Sequence, residues 1–372
     1  MTSNAKPHDN RPVLTIDTTA IADNWRQLAA RAPGAETAVA IKADAYGLGM
    51  PEVAPALAAA GTRTFFVATP QEASALRRIL PDVDIYVLSG LMDGDAPIFL
   101  AHRLRPALKS LADVRAWAEA GQGRPAALHI DTGMNRLGLG PDEVASLASE
   151  RGPLGRFEVA LVMSHFACSE EQGNPMNRRQ LGDFHARVRQ LGLEKKPLSI
   201  ANSSAIFLGP EFHLAMTRPG AAVYGLNPLP NHPNPMRQTI RLEGKILQTR
   251  RVDTGMTVGY GATHLVGTPG RIATVGIGYA DGFMRRLSNR GSAFIAGRRV
   301  PIVGRVSMDL ITLDVSALPE DMARPGAVVE LLGPNQSPDD LAASAETIGY
   351  EVLTSLGRRY RRTYEVEAEA KP

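Results

Sequence analysis

Cysteine is almost absent from this chain. Cys168 is the only one in 372 residues, so no internal disulfide can form, and a reducing compartment is the better fit. A single cysteine of this kind reads as a small packed residue rather than a nucleophile. Long apolar runs are missing as well. No stretch approaches the length needed to cross a bilayer. The opening "MTSNAKPHDNRP" is polar and lacks the apolar centre of a secretory signal. Nor does one charge dominate: 41 Lys+Arg face 38 Asp+Glu, a net charge of +3. That surplus is too small and too scattered for a nucleic-acid or anionic-membrane binder. The one dense basic run, "RRYRRTY" (358–364), reads as solvated surface. The expectation is a soluble cytoplasmic protein with a short disordered leader, 1–11, and no nucleic-acid or membrane partner.

What is present is enough apolar material for full-sized cores. Hydrophobic residues make up 44% of the chain, and its length exceeds a usual single core, so two domains are expected. Strand-like runs appear at "TAVAIK" (37–42), "TFFVAT" (64–69), "DIYVLSG" (84–90), "RPALKS" (105–110), "AALHIDT" (126–132), "FEVALVMSHFA" (157–167), "LSIANSS" (198–204) and "LAMTRPG" (214–220). Helix-length segments separate them, several opened by proline or closed by glycine. Strands alternating with helices imply a parallel sheet. Eight such units fit a closed (β/α)8 barrel over 12–240; the pattern alone leaves a doubly wound open sheet as an alternative. "NPLPNHPNP" (227–235) reads as a linker. Beyond it, β-branched runs with glycine turns predict a mostly-β domain over 241–372, with one helix near 338–348.

The chemistry starts at "AVAIKADAYGLG" (38–49), where Lys42 ends the first barrel strand. The C-terminal ends of barrel strands form the active-site face. A lysine there is partly desolvated, which lowers its pKa and frees its amine as a nucleophile. Such lysines form Schiff bases with aldehydes, pyridoxal 5'-phosphate (PLP) among them. A surface lysine after a strand is the bland alternative, and the neighbours weigh against it. A PLP site must hold a phosphate dianion, which in barrels falls to the loops after strands 7 and 8. Here strand 7 ends in Asn202-Ser203-Ser204 and strand 8 in "TRPGAAVYG", offering hydroxyls, Arg218, and backbone at Gly220 and Ala221. No residue is read as a metal ligand.

Taken in order, "AVAIKADAYGLG", "HIDTGMNRLG", "SHFA", "ANSSA", "RPGAAVYG", "VGYGAT", "IGYADG" and "GRVSMD" resemble the segments of alanine racemases of the barrel-type PLP family. The resemblance covers nearly the whole chain beyond the leader. It implies that Lys42 holds PLP, that Tyr46 bonds its phosphate together with Ser203, Gly220 and Ala221, and that Arg218 faces the pyridine nitrogen. A guanidinium keeps its protons, so the ring nitrogen would stay unprotonated and the cofactor would be a weaker electron sink. It further implies two bases, Lys42 for one face of the substrate's Cα and Tyr260 for the other. A free tyrosine has a pKa near ~10; His165, set between Tyr260 and Arg218, would spread positive charge toward its oxygen. Arg136 and backbone at Met308 would bind the substrate carboxylate, with Tyr279 and Asp309 lining the access path. Because Tyr260 lies in the second domain, the resemblance implies a head-to-tail homodimer with shared active sites and a small amino acid as substrate.

The sequence departs from the family at three places. His129 stands where many relatives carry a lysine that is carbamylated and positions the arginine; Arg136 must be held otherwise, by His129 itself or by an anion. Arg358 falls, in a loose alignment, where many relatives have a phosphate-binding tyrosine. Ser307 stands where cysteine is frequent. Three other functions compete: a racemase of wide substrate range, a barrel-type PLP decarboxylase, and a PLP-carrier protein. The first is usually exported, and no signal segment is seen here. The second needs a carboxylate where Arg218 stands. The third lacks a second domain.

Overall fold

A computed structural model of the chain describes residues 11–150 and 152–366. The expected leader lies outside these except for Arg11. The backbone divides into two compact units, one of residues 20–237 and one that joins the segment up to Thr19 with Gln238 onward. Among the described residues no helix is long and apolar enough to cross a membrane.

The first strand, β1 (Val13–Asp17), belongs to the second of these units. The sequence expectation had placed residues 12–19 with the barrel. Val-Leu-Thr-Ile-Asp buries Leu14 and Ile16 completely, and a half-apolar strand of that kind takes whichever sheet offers it an edge. Here the edges come from chain more than 200 residues away, so the local pattern is blind to the choice. Helix α1 (Thr18–Arg31) follows.

The 20–237 unit is built of parallel strands. β2 (Glu36–Thr37) and β3 (Val39–Ala40) are two pieces of one barrel strand. After them come the left-handed turn α2 (Lys42–Tyr46), α3 (Met50–Ala60), β4 (Thr64–Val67), α4 (Pro70–Ile79), β5 (Asp84–Val87), α5 (Ala96–Ala101), β6 (Arg105–Leu108) and α6 (Leu111–Ala120). β7 (Gly123–His129), α7 (Pro141–Glu150), β8 (Phe157–Met163), α8 (Pro175–Leu191), β9 (Leu198–Ser199) and β10 (Met216–Thr217) complete the series. β3 to β9 pair in sequence order, and β10 pairs with β2. The ring is closed by backbone bonds on both sides of the last strand: Arg218 N–H donates to the Ala201 carbonyl, and Ala40 N–H to that of Pro219, each at 2.9 Å. β10 pairs with β2 in parallel, and with backbone bonds on both sides of the last strand the open-sheet alternative falls away. Inside, Ala38, Phe66, Tyr86, Ala107, Ala127, Leu161, Met163 and Met216 form one buried cluster, the mix of large and small residues that fills a barrel of this size. The longest helix, α8, shows why the outer layer forms where it does. Asn174 accepts the Met176 N–H as its N-cap, Pro175 opens it, and left-handed Gly192 closes it. Its buried positions, Asn177, Gln180, Phe184 and Val188, recur at helical spacing.

The other unit is a mixed sheet. Its eight strands are β1, β11 (Ile240–Val252), β14 (Gly270–Val275), β15 (Ser292–Ile295), β16 (Arg298–Pro301), β17 (Ile311–Asp314), β18 (Val328–Leu332) and β19 (Arg361–Glu365), while β12 (Thr257–Val258) and β13 (His264–Leu265) form a separate antiparallel pair. β1 lies between β11, antiparallel, and β19, parallel. The single helix expected near 338–348 is two, α9 (Pro338–Ser344) and α10 (Gly349–Ser355). Glu346 takes a left-handed φ of 54° between them, which ends the first helix before the second begins.

Candidate active site

Lys42 opens a turn of the wrong hand. Ala43, Asp44, Ala45 and Tyr46 have φ of 53°, 54°, 56° and 55°, and Gly47 continues the run at 84°. For residues with a Cβ that conformation costs about 1–2 kcal/mol each, and backbone strain of this kind collects at functional sites. Several bonds hold the turn. Ala45 N–H donates to the Ile41 carbonyl at 3.0 Å and Gly47 N–H to that of Ala43 at 2.7 Å. Ala43 N–H donates to Glu72 Oε1 at 2.7 Å, and Met50 N–H to Asp44 Oδ1 at 2.7 Å. The result leaves Lys42 half-buried while Tyr46 turns inward and stacks on Tyr224, ring centroids 4.6 Å apart. Burial, and then the Arg136 charge, hold the Lys42 amine below its ordinary pKa, against an opposing pull from Glu72. Burial pushes the Tyr46 phenol up to about 12, so it stays a hydrogen-bond donor.

Arg218 is a buried cation. It is 6% exposed, and desolvation draws its pKa down to about 10, which leaves it charged at neutral pH. Its two terminal nitrogens donate to Ser199 Oγ and to the Ser164 carbonyl. Among the described residues no carboxylate pairs with it, a costly arrangement for a buried charge unless a ligand completes it. Beside it lies a built cradle. Ser203 Oγ accepts N–H groups from Gly220 at 3.0 Å and Ala222 at 3.2 Å, so its own proton is left to donate outward. A Cβ on Gly220 would overlap the Tyr46 hydroxyl. Only glycine therefore lets the two strand ends approach here. Asn202 Oδ1 is already occupied by Ala205 N–H and Ser169 Oγ, at 3.0 and 2.9 Å, and serves to shape that loop.

His165 reports what converges on this mouth. Burial lowers its pKa to about 3, followed by the charges of Arg218, Arg136, His129 and Lys42. It is neutral at working pH. It carries no charge of its own and can only pass on polarisation through its ring. His129 is likewise neutral, lowered to about 4 by burial and then by Arg218, and among the described residues its buried Nδ1 has no hydrogen-bond partner. Arg136 is exposed on the loop after β7. That loop is shaped by Asp131, which accepts N–H groups from Gly133, Met134 and Asn135 at 3.0 to 3.1 Å. Among the described residues no hydrogen bond joins His129 to Arg136.

In the β-rich unit the remaining candidates fall into one group and one singleton. Tyr279 N–H donates to the Ser307 carbonyl, and Ala280 N–H to that of Met308, both at 3.0 Å. Arg359 ties the group together through Asp281 at 3.1 Å and Asp309 at 2.8 Å. Tyr279, Met308 and Asp309 are thus brought together. Tyr260 sits on a separate 3-10 turn, 72% exposed. Arg358 is exposed too. Sequence reasoning missed Glu72, Ser164, Ser199 and Gln180. Gln180 is fully buried and joins Thr132 Oγ1, the His165 carbonyl and Ala167 N–H. Only Glu72 had a local signal, in "TPQE", which reads as a helix capping box.

A closed parallel barrel with a desolvated lysine, a buried guanidinium and a hydroxyl-and-amide cradle on one mouth defines a barrel enzyme built for a phosphate-bearing aldehyde cofactor. The particular family follows from the chain's likenesses. Residues 16–228 match the alanine racemase N-terminal domain and residues 239–364 the alanine racemase C-terminal domain. The alanine racemase of Rhodospirillum rubrum is 50% identical over 96% of this chain and 97% of its own. One from Agrobacterium fabrum, described as catabolic, is 46% identical over 94% and 91%. Among solved structures, the Bartonella henselae alanine racemase with covalently bound pyridoxal phosphate superposes with a TM-score of 0.92 at 38% identity, covering 96% of this chain and all of that one. The biosynthetic alanine racemase of Pseudomonas aeruginosa gives 0.89 at 33% identity, again over 96% of this chain and all of its own. The chain belongs to the alanine racemase family.

Proposed function

We propose that this protein is a PLP-dependent isomerase that interconverts L-alanine and D-alanine. The observation that carries the reading is the buried Arg218, charged and with no carboxylate paired to it among the described residues, beside a Gly220–Ser203 cradle and in the same electrostatic cluster as Lys42. The site fits the cofactor. Lys42 would hold it through its amine, and Tyr46, Ser203, Gly220 and Ala221 would hold its phosphate, with Asn202 shaping the loop and Arg218 facing the ring nitrogen. When bound, the cofactor draws electrons from the substrate's Cα and makes its proton removable. A barrel-type decarboxylase would want an acid facing that nitrogen, and Arg218 supplies the opposite charge.

The rest is done by the chain's own groups. Arg136, with the Met308 backbone, would fix the substrate carboxylate. Lys42, its pKa lowered, has more free amine at neutral pH than an ordinary lysine, so it can take or return a proton on one face of Cα. Tyr260 would do so on the other, with His165 polarising its oxygen from Arg218. Tyr279 and Asp309 would narrow the access path to a small side chain. The exposed apolar set Met256, Tyr260, Leu265, Met308 and Leu310 favours a homodimer in which a second copy's β-rich unit covers each barrel mouth, and the single cysteine, Cys168, favours a cytoplasmic setting. D-alanine made this way would serve peptidoglycan, or the reverse reaction would degrade it.

Circular dichroism tests the reading directly. Purified protein with PLP should racemise L-alanine and D-alanine, and borohydride should fix the cofactor on Lys42. Cofactor fixed on any other lysine would defeat the assignment.

A further inference from the structure

We propose that Glu72 is a positioning residue for this reaction: its carboxylate clamps the left-handed turn that presents Lys42 and sets a negative charge beside that amine. The inference rests on the reading of Lys42 as the cofactor lysine. Both oxygens of Glu72 are used. Oε1 accepts the Ala43 N–H at 2.7 Å, and Oε2 accepts the Ala68 N–H at 2.8 Å. Ala43 is the first residue after Lys42, and Ala68 follows β4. One side chain therefore ties the start of the turn to the neighbouring barrel strand.

The anchor is rigid. Glu72 is the third residue of α4, whose N-cap Thr69 accepts the Glu72 N–H at 3.3 Å and whose first residue is Pro70. The turn needs such a hold. Four successive residues with side chains take a hand that only glycine adopts freely. Without Glu72 the Ala43 N–H loses its acceptor, and relaxation toward the ordinary hand would swing the Lys42 side chain off its line.

Charge is the second contribution. The groups that face Lys42 come from three directions. Arg136, on the loop after β7, lowers its pKa, as does burial; Glu72, on α4, raises it. His165, after β8, is neutral. Asp44, on the turn itself, spends Oδ1 on the Met50 N–H. Glu72 thus opposes burial and Arg136, and keeps the amine from becoming too weak a base.

The test uses four full-length chains saturated with PLP: the parent, Glu72→Gln, Glu72→Asp and Glu72→Ala. Three quantities are read: the pH titration of the visible cofactor band, hydrogen exchange of the 42–50 segment, and the borohydride-labelled lysine. Glu72→Gln removes the charge and one acceptor. Its band should titrate about one pH unit lower, and the segment should exchange about tenfold faster. Glu72→Asp keeps the charge but not the reach, so its exchange should rise while its titration stays near the parent's. Glu72→Ala should show both changes. If all variants titrate and exchange with the parent, the proposal is overturned. A lowered melting temperature with titration and exchange unmoved also overturns it, since Glu72 would then serve the fold alone. Label on another lysine in the parent defeats the reading of Lys42 instead, and the exchange arm still decides the clamp.

Discussion

The barrel mouth and the candidate surface of the β-rich unit carry their residues in opposite ways. At the mouth, Arg218 is held by Ser199 and Ser164, the cradle by Ser203, and the lysine's turn by Glu72, all inside one unit. In the β-rich unit, Tyr260 and Met308 are 72% and 54% exposed, and Arg359 ties Asp281 and Asp309 together. The first region is preorganised by its own chain. The second has its backbone set but its side chains uncovered. On the proposed reading, binding of the cofactor would be a property of the barrel, and completion of the reaction would call for something to cover the other set.

Changes at each region should separate these roles. The largest effect is expected at Lys42. Lys42→Ala should leave the barrel folded but cut racemisation of alanine by about 10³-fold or more, since both cofactor attachment and a base are lost; the visible band should vanish with it. Next comes Tyr260→Phe. The band and melting temperature should match the parent, because an exposed ring contributes little to stability. Loss of Cα hydrogen to solvent deuterium should fall about 10²-fold or more from one enantiomer and much less from the other. Equal small losses from both would mean that the two regions do not divide the proton transfer.

A smaller change is expected for Gly220→Ala. The new methyl would press on the Tyr46 hydroxyl and should weaken PLP binding about tenfold, read by the cofactor concentration that restores the band. The smallest effect concerns acid. His129 and His165 fold as neutral groups with pKa about 4 and about 3, below the unfolded value near 6.5. The unfolded chain therefore takes up protons first as pH falls. The stability these histidines contribute is complete above about pH 6.5 and is lost as pH drops, down to about 4 for His129 and about 3 for His165, at roughly 1.4 kcal/mol per pH unit for each histidine. Urea midpoints across that window should show it, and His129→Gln should remove about half of the slope. A slope that survives the change intact would place the acid sensitivity outside the barrel mouth.

Much of this was legible in residue order. Apolar runs such as "TFFVAT" and "DIYVLSG" gave the barrel strands because a fully buried strand has no polar face to hide. The contact between Gly220 and Ser203 has a similar reason: close backbone approach and hydroxyl supply need those residue types. β1 was not legible as part of the β-rich unit, since five alternating residues do not name their partners. The reversed turn after Lys42 was also hidden. Ala-Asp-Ala-Tyr has no preference for that hand, so it is imposed by neighbours such as Glu72.

The sequence alone determined which side chains are available, the alternation of strands and helices, and the order of the segments that mark the family. The tertiary structure decided which groups are buried together. Closing the ring puts Arg218 out of water with no carboxylate paired to it among the described residues, holds His165 and His129 neutral, and leaves Tyr260 in the open. Those outcomes follow from desolvation and from long-range hydrogen bonds, which depend on what surrounds a residue and not on what precedes it.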